Sequence, residues 1–245
     1  MNLYQINSQG ILRRVDQLFD ILGLNLSENQ VVAFVGAGGK TSLIYQLAKE
    51  IVGLKKKVIV TTTTHMFLPS EYAVLAEDKE QLLYLLDTYG MAVVGIPCGR
   101  EKITKVSDEF FEWMKTVSDY ILVEADGSKR LPIKVPASYE PVLPLDVTKV
   151  VILCGLSCLS GSIQDYCHRW ELACKILNCN KSHGLEPKDI ATLIVEGYCK
   201  SLSVPYKIVL NQCDTMAVIA KASETVRYLQ EYHMIEDNII LSSML

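Results

Sequence analysis

No apolar run in this chain approaches the roughly 18 residues that a membrane-spanning helix needs, although its mean hydropathy is positive at +0.20. Short apolar runs between polar stretches are what a buried parallel sheet demands. A basic surplus is missing too. Lys and Arg number 24 against 28 Asp and Glu, a formal net charge of −4. That balance argues against a nucleic-acid or anionic-membrane partner, which asks for a basic face, so any anion site must be local. Tight cysteine pairs are absent as well. The chain has eight cysteines and no C-x-x-C; Cys154, Cys158, Cys167, Cys174 and Cys179 crowd into one stretch, where Cys154 and Cys158 are spaced C-x-x-x-C. Structural zinc favours tight ligand pairs, so small buried hydrophobes are the better reading. There is no internal repeat and no low-complexity tract. The stretch from about 10 to 23 carries an apolar stripe of Ile11, Val15, Leu18, Phe19 and Leu22, interrupted by Arg13, Arg14, Asp16 and Asp20. It reads as a packing helix and not a signal peptide. A cytoplasmic protein with reduced thiols is expected.

What is present is alternation. Apolar strands are expected at Val31–Val35, Val58–Thr62, Met91–Ile96, Tyr120–Glu124, Lys149–Cys154, Tyr206–Asn211 and Asn238–Leu241. Amphipathic helices are expected near Thr41–Val52, Lys79–Tyr89, Asp108–Ser118, Asp165–Leu177, Pro187–Lys200 and Met216–Tyr232. This order predicts an α/β fold, a doubly wound, mainly parallel sheet with helices on both faces. A length of 245 residues suits one large domain, 1–245. The irregular piece is Gly127 to Pro144, whose four prolines forbid a regular helix or central strand. A long connection leaving a strand's carboxyl end is where α/β proteins keep their function.

The first expected strand runs into Gly36-Ala37-Gly38-Gly39-Lys40-Thr41-Ser42 and then an apolar helix. Glycines opening onto a helix start leave amides free to face an anion, and the helix dipole favours negative charge there. Lys40 would reach outer phosphates, and Thr41 would offer its hydroxyl to magnesium. The usual G-x-x-x-x-G-K-[ST] pattern fails at Phe34, leaving G-x-x-G-K-T, a loop shorter by two. That spacing resembles the G-T-N-G-K-T loop of the Mur ligases, which hold ATP phosphates. A dinucleotide fingerprint fails, because Thr41 stands where its third glycine belongs.

Other strand ends would then supply metal and base contacts. Thr61 to Thr64 and His65 end the second strand. Thr62, Thr63, Thr64 and His65 are candidate cleft residues, though threonine also suits a strand for its β propensity alone. Glu124-Ala125-Asp126-Gly127 has the form of a Walker B end. Two acids closing an apolar strand are costly unless solvated or metal-bound. Glu124 and Asp126 are therefore candidate magnesium ligands with Thr41, and candidate catalytic residues with Lys40. Which acid takes the metal stays open. Lys129, Arg130 and Lys134 add charge near the phosphates, receive an anionic substrate, or form a solvated basic loop. Asn211-Gln212-Cys213-Asp214 resembles the guanine-reading N-K-x-D of GTPases, with Gln212 in place of Lys, or else is a turn.

Gly36–Ser42, Thr61–Met66, Val123–Pro144, Cys167–Ala173 and Leu210–Asp214 together resemble, in this order, the selenium-dependent hydroxylase accessory proteins of the YqeC family. The resemblance runs from about Gln30 to the end. It implies a P-loop NTPase fold, magnesium, bound GTP or ATP, and a protein client in the maturation of a selenium-dependent molybdenum hydroxylase. It also turns His168 and Arg169, otherwise the start of an amphipathic helix, into cleft candidates. The alternatives are an ATP-dependent ligase or kinase, and a nucleotide-gated binding module with negligible hydrolysis.

Overall fold

The computed structural model describes residues 2–6, 12–232 and 238–243. In chain order its elements begin with β1 (Asn2–Ile6), β2 (Leu12–Val15), α1 (Leu18–Ile21), β3 (Gln30–Gly36), α2 (Lys40–Gly53) and β4 (Val58–Thr62). There follow β5 (His65–Phe67), β6 (Ala73–Val74), α3 (Lys79–Tyr89), β7 (Met91–Val94), β8 (Ile96–Pro97), β9 (Lys102–Thr104) and α4 (Asp108–Val117). Next come β10 (Tyr120–Glu124), β11 (Ile133–Lys134), β12 (Lys149–Gly155), α5 (Ile163–Tyr166), β13 (Cys167–His168) and α6 (Trp170–Leu177). The chain closes with α7 (Pro187–Gly197), β14 (Tyr206–Asn211), α8 (Met216–Glu231) and β15 (Ile239–Ser243).

Ten strands form one sheet in the order β2-β1-β15-β14-β12-β3-β10-β4-β7-β6. From β15 to β6 every pairing is parallel; β1 is antiparallel to both β15 and β2. The sheet is doubly wound as expected. Side chains alternate between two cores because strand periodicity is two. Val31, Ala33 and Val35 of β3 face the core that packs Leu82, Phe110, Ile190 and Val226 from α3, α4, α7 and α8. Val32 and Phe34 face the other core, with Leu18 and Phe19 of α1 and Leu43, Leu47 and Ile51 of α2. Burial on both sides is why these strands read as unbroken apolar runs.

Two expectations change. The stretch from about 10 to 23 is not one helix: Leu12–Val15 is a strand on β1, and only Leu18–Ile21 is helical. Leu18, Phe19 and Leu22 are buried as the stripe requires, whereas Leu3 pairs with Val15 across the ladder, a non-local contact that outweighs the local pattern. Ile11 lies outside the described residues. The helix expected over Asp165–Leu177 is likewise broken. Cys167 and His168 pair in parallel with Ile133 and Lys134, and Arg169 takes a left-handed φ of 64° ahead of α6. A small antiparallel sheet, β5-β9-β8, stands beside the main one.

Candidate functional site

Register sets the site. Glu124 lies opposite both Phe34 and Thr62, Leu153 opposite Gly36, and Gly155 opposite Asn211. The carboxyl ends of β4, β10, β3, β12 and β14 therefore form one ledge, with the glycine turn between β3 and α2 at its centre. Close packing forces the glycines. A Cβ on Gly36 would stand 2.1 Å from the Leu153 carbonyl oxygen, and one on Gly38 would stand 2.3 Å from the Gly155 nitrogen, both at left-handed φ. The turn leaves donors behind. Among the described residues, the N–H groups of Gly38, Gly39, Lys40, Thr41 and Ser42 meet no backbone acceptor, and they stand at the start of the 14-residue helix α2. Free amides grouped at a helix start have the form of an anion site. Asn211 braces it from beneath, donating from Nδ2 to the Gly38 carbonyl (2.7 Å) and accepting from the Ser242 hydroxyl (2.8 Å).

The two acids at the end of β10, Glu124 within it and Asp126 just past it, separate into different roles. The Thr41 hydroxyl donates to Glu124 Oε2 at 3.1 Å, and Glu124 is buried at 7% exposure. Burial pushes its carboxyl above the ordinary range, and Lys40 and the Thr41 hydrogen bond counter this only in part. A carboxylate and a hydroxyl side by side, facing an open cleft, fit a magnesium ion that keeps several waters and takes one or two protein ligands. Asp126 is different. It is fully buried, accepting at Oδ2 from the Gly36 N–H (3.0 Å) and the Tyr198 hydroxyl (2.9 Å). The Lys40 ammonium sits 3.0 Å from its Oδ1 and that of Lys134 3.1 Å from its Oδ2. Oδ1 makes no hydrogen bond and has only the Lys40 ion pair, yet at full burial between two cations Asp126 is an anchor of the loop and not an open magnesium ligand. Lys40 correspondingly folds back, donating to the Gly36 carbonyl at 2.5 Å. Lys134 is no solvated base either: it is buried and also binds Glu140 at 2.9 Å and the Gly127 carbonyl at 2.6 Å.

Above the ledge lies a cleft of about 970 Å³, lined by Gly38 to Ser42, Glu124, Thr63, Thr64, His65, Lys129, Arg130 and His168 among others. Thr62 is outside that lining. Its hydroxyl donates inward to the Glu124 carbonyl oxygen at 2.8 Å, which is the structural side of the threonine reading. His168 lines the cleft with Nδ1 buried and unpartnered. Burial, then Arg169, Lys134 and Lys129, lower its pKa and so favour the neutral imidazole. Arg169 lines a neighbouring shallow pocket instead, bound to Glu140 at 2.7 Å. Asp214 is an exposed residue outside the cleft lining, accepting from the Ser243 hydroxyl at 2.7 Å. Gln212, at a left-handed φ of 65°, does line the cleft. Sequence reasoning missed Tyr198, Phe67, Lys102 and Tyr139, none of which carries a motif.

The crowded cysteines divide by burial, with Cys174 and Cys179 half-buried. Cys154, Cys158 and Cys167 are buried, and burial pushes the Cys167 thiol up to about 12. Among the described residues no group of three or more His, Cys, Asp or Glu side chains is placed to hold a metal ion.

Comparison with known proteins places this geometry. The family model described as YqeC protein matches residues 32–171, which include the glycine turn, the threonines, Glu124 and His168. This chain belongs to the YqeC family. It is 30% identical over 171 residues, 67% of each chain, to "Uncharacterized protein YqeC" of Escherichia coli (strain K12). A solved structure of cell division protein ftsY from Thermotoga maritima is similar over 88% of this chain and 65% of that one, with 15% identity and a TM-score of 0.37. The family match ends before Asn211 and Asp214.

Proposed function

We propose that this chain binds a nucleoside triphosphate, GTP or ATP, with magnesium, and uses it in phosphoryl chemistry that assists maturation of a molybdenum hydroxylase. One observation carries the reading: the Thr41 hydroxyl and Glu124 carboxylate lie 3.1 Å apart beside five amides without a backbone acceptor. In this reading the Gly38–Ser42 amides hold the phosphates and Lys40 turns from Asp126 towards them. Lys134 then keeps the buried Asp126 neutralised. Thr41 and Glu124 are the residues that would hold magnesium, which when bound neutralises phosphate charge. Phosphoryl transfer then needs chiefly positioning and electrostatic stabilisation. The client protein is proposed on the family resemblance alone. Asn211 is committed to the loop, and Asp214 lies outside the cleft lining, so Asp214 reads the base only where the base extends past that lining; there its carboxylate would match the two donors of guanine.

Calorimetric titration of non-hydrolysable GTP and ATP analogues, with and without magnesium, tests this. Thr41→Val and Glu124→Gln should each weaken magnesium-dependent binding at least tenfold, about 1.4 kcal/mol, and leave magnesium-free binding unchanged. Wild-type affinity in both variants would remove the assignment. A second reading, transfer to an acceptor by a kinase or ligase, is consistent with the cleft's size. At about 970 Å³ it stands at the upper end of the roughly 300–1,000 Å³ usual for one small-molecule pocket.

A further inference from the structure

The cleft continues past the phosphate loop, between strands β5 and β9 and the turn at 128–131, where Phe67, Lys102, Lys129, Arg130 and Tyr139 line it. Near the glycine turn, charges are matched within the protein: Lys40 with Asp126, and Glu140 with Lys134 and Arg169. In the far lobe they are not. Among the described residues Lys102, Lys129 and Arg130 meet no carboxylate. Arg130 and Lys102 thus meet at one ring, and Lys129 lines the same cleft, in a protein whose net charge is −4. A cleft of one sign with low-dielectric walls concentrates ligands of the other.

The cations are also held in place. The Arg130 guanidinium lies over the Phe67 ring at 4.3 Å, with the Lys102 ammonium 5.8 Å from the same ring. Stacking of this kind orients a guanidinium without consuming its donors. Lys129 and Arg130 both adopt left-handed φ, 51° and 62°, an uncommon conformation for residues with a Cβ. The turn thus presents two successive cations to the cleft at a conformational cost.

We propose that this lobe binds a second substrate, a small molecule bearing a phosphate or carboxylate group. Its anion lies on Arg130, Lys102 and Lys129, and its body rests on the Phe67 and Tyr139 rings. The location beside a nucleotide rests on the function proposed above; the anion site itself does not.

Inorganic phosphate is the probe, titrated by calorimetry into ligand-free protein and into protein saturated with magnesium and a non-hydrolysable triphosphate analogue. The analogue-loaded protein should still bind phosphate. Arg130→Gln should weaken that binding at least tenfold, Phe67→Ala should weaken it less, and the analogue's own affinity should stay within twofold in both. Three results overturn the proposal: no phosphate binding to the loaded wild type, unchanged phosphate binding in Arg130→Gln, or a parallel loss of analogue affinity, which would make Arg130 part of the nucleotide site. If the analogue fails to bind wild-type protein, the nucleotide reading falls on its own. The ligand-free titration then decides the lobe, with an Arg130-dependent phosphate site supporting it and phosphate binding indifferent to Arg130→Gln overturning it.

Discussion

Glu124, the last residue of β10, and Asp126, two residues beyond it, show how burial assigns chemistry. Glu124 shares a hydroxyl with Thr41 at the cleft, whereas Asp126 is enclosed by two lysines, a tyrosine and an amide. Removing one partner of a buried ionic group leaves the rest uncompensated, at about 3–5 kcal/mol. Asp126→Asn should therefore lower stability by about that amount, read as a fall in the denaturant midpoint; a midpoint within experimental error of wild type would show that the acid is not an anchor. Glu124→Gln should act in the opposite direction without ligand. Its folded-state carboxyl is raised above the usual 4.5 by burial, so the folded protein binds the proton more tightly than the unfolded chain does. Stability from that proton is present below the unfolded value and is lost as pH rises through the folded one. Thermal melts should show the variant more stable than wild type at neutral pH, with the gain shrinking as pH is lowered into the ordinary carboxylate range. That two acids would matter was legible from their position at the end of an apolar strand. Which one faces the cleft depended on Tyr198, 72 residues away from Asp126.

Among elements, those with strong local patterns came out as expected. β4, β10, β14 and α3 have the residue ranges read from their apolar runs and periodicity. The failures share one cause, strand pairing that overrides a helical pattern. Leu12–Val15 joins a ladder through β1, and Cys167–His168 leaves its helix to pair with Ile133–Lys134. The second pairing fastens the proline-rich stretch to the site. Glu140 completes it, accepting from the Ala137 N–H at 3.2 Å and pairing with both Lys134 and Arg169. Burial favours the neutral acid, but those bonds outweigh it and hold its pKa below the usual carboxylate value. Hydrogen bonds to charged groups contribute about 1.5–3 kcal/mol each. Glu140→Gln should therefore speed amide exchange across residues 133–142 by at least tenfold while β3 and β10 keep their protection. Equal acceleration in the sheet would mean global destabilisation, and no acceleration would mean the stretch is held by its apolar contacts.

For the whole molecule, the base preference gives the most exposed prediction. If Asp214 reads guanine, magnesium-bound GDP should bind at least tenfold more tightly than ADP, and Asp214→Asn should shift preference towards xanthosine diphosphate. Because a ligand that binds only the folded state stabilises it by about 2.7 kcal/mol at one hundred times its dissociation constant, melting-temperature shifts at matched nucleotide concentrations give the ranking. ADP equal to or better than GDP would leave Asn211 as the brace of the glycine turn, Asp214 as a turn residue, and the transfer reading ahead.

By itself the sequence determined the parallel sheet, because doubly buried strands must be apolar along their whole length. It also determined the glycine turn, because only glycines pass as close to β12 as Gly36 and Gly38 do, and that requirement is written in neighbouring residues. The tertiary structure alone decided what each polar group touches. It buried Asp126 and Lys134 as a pair, turned Thr62 inward, and gathered Phe67, Lys102, Lys129 and Arg130 into one lobe from three separate segments. The physical reason is range: backbone preference and periodicity act over a few neighbouring residues, whereas burial, desolvation and ion pairing depend on which distant segments the fold brings together.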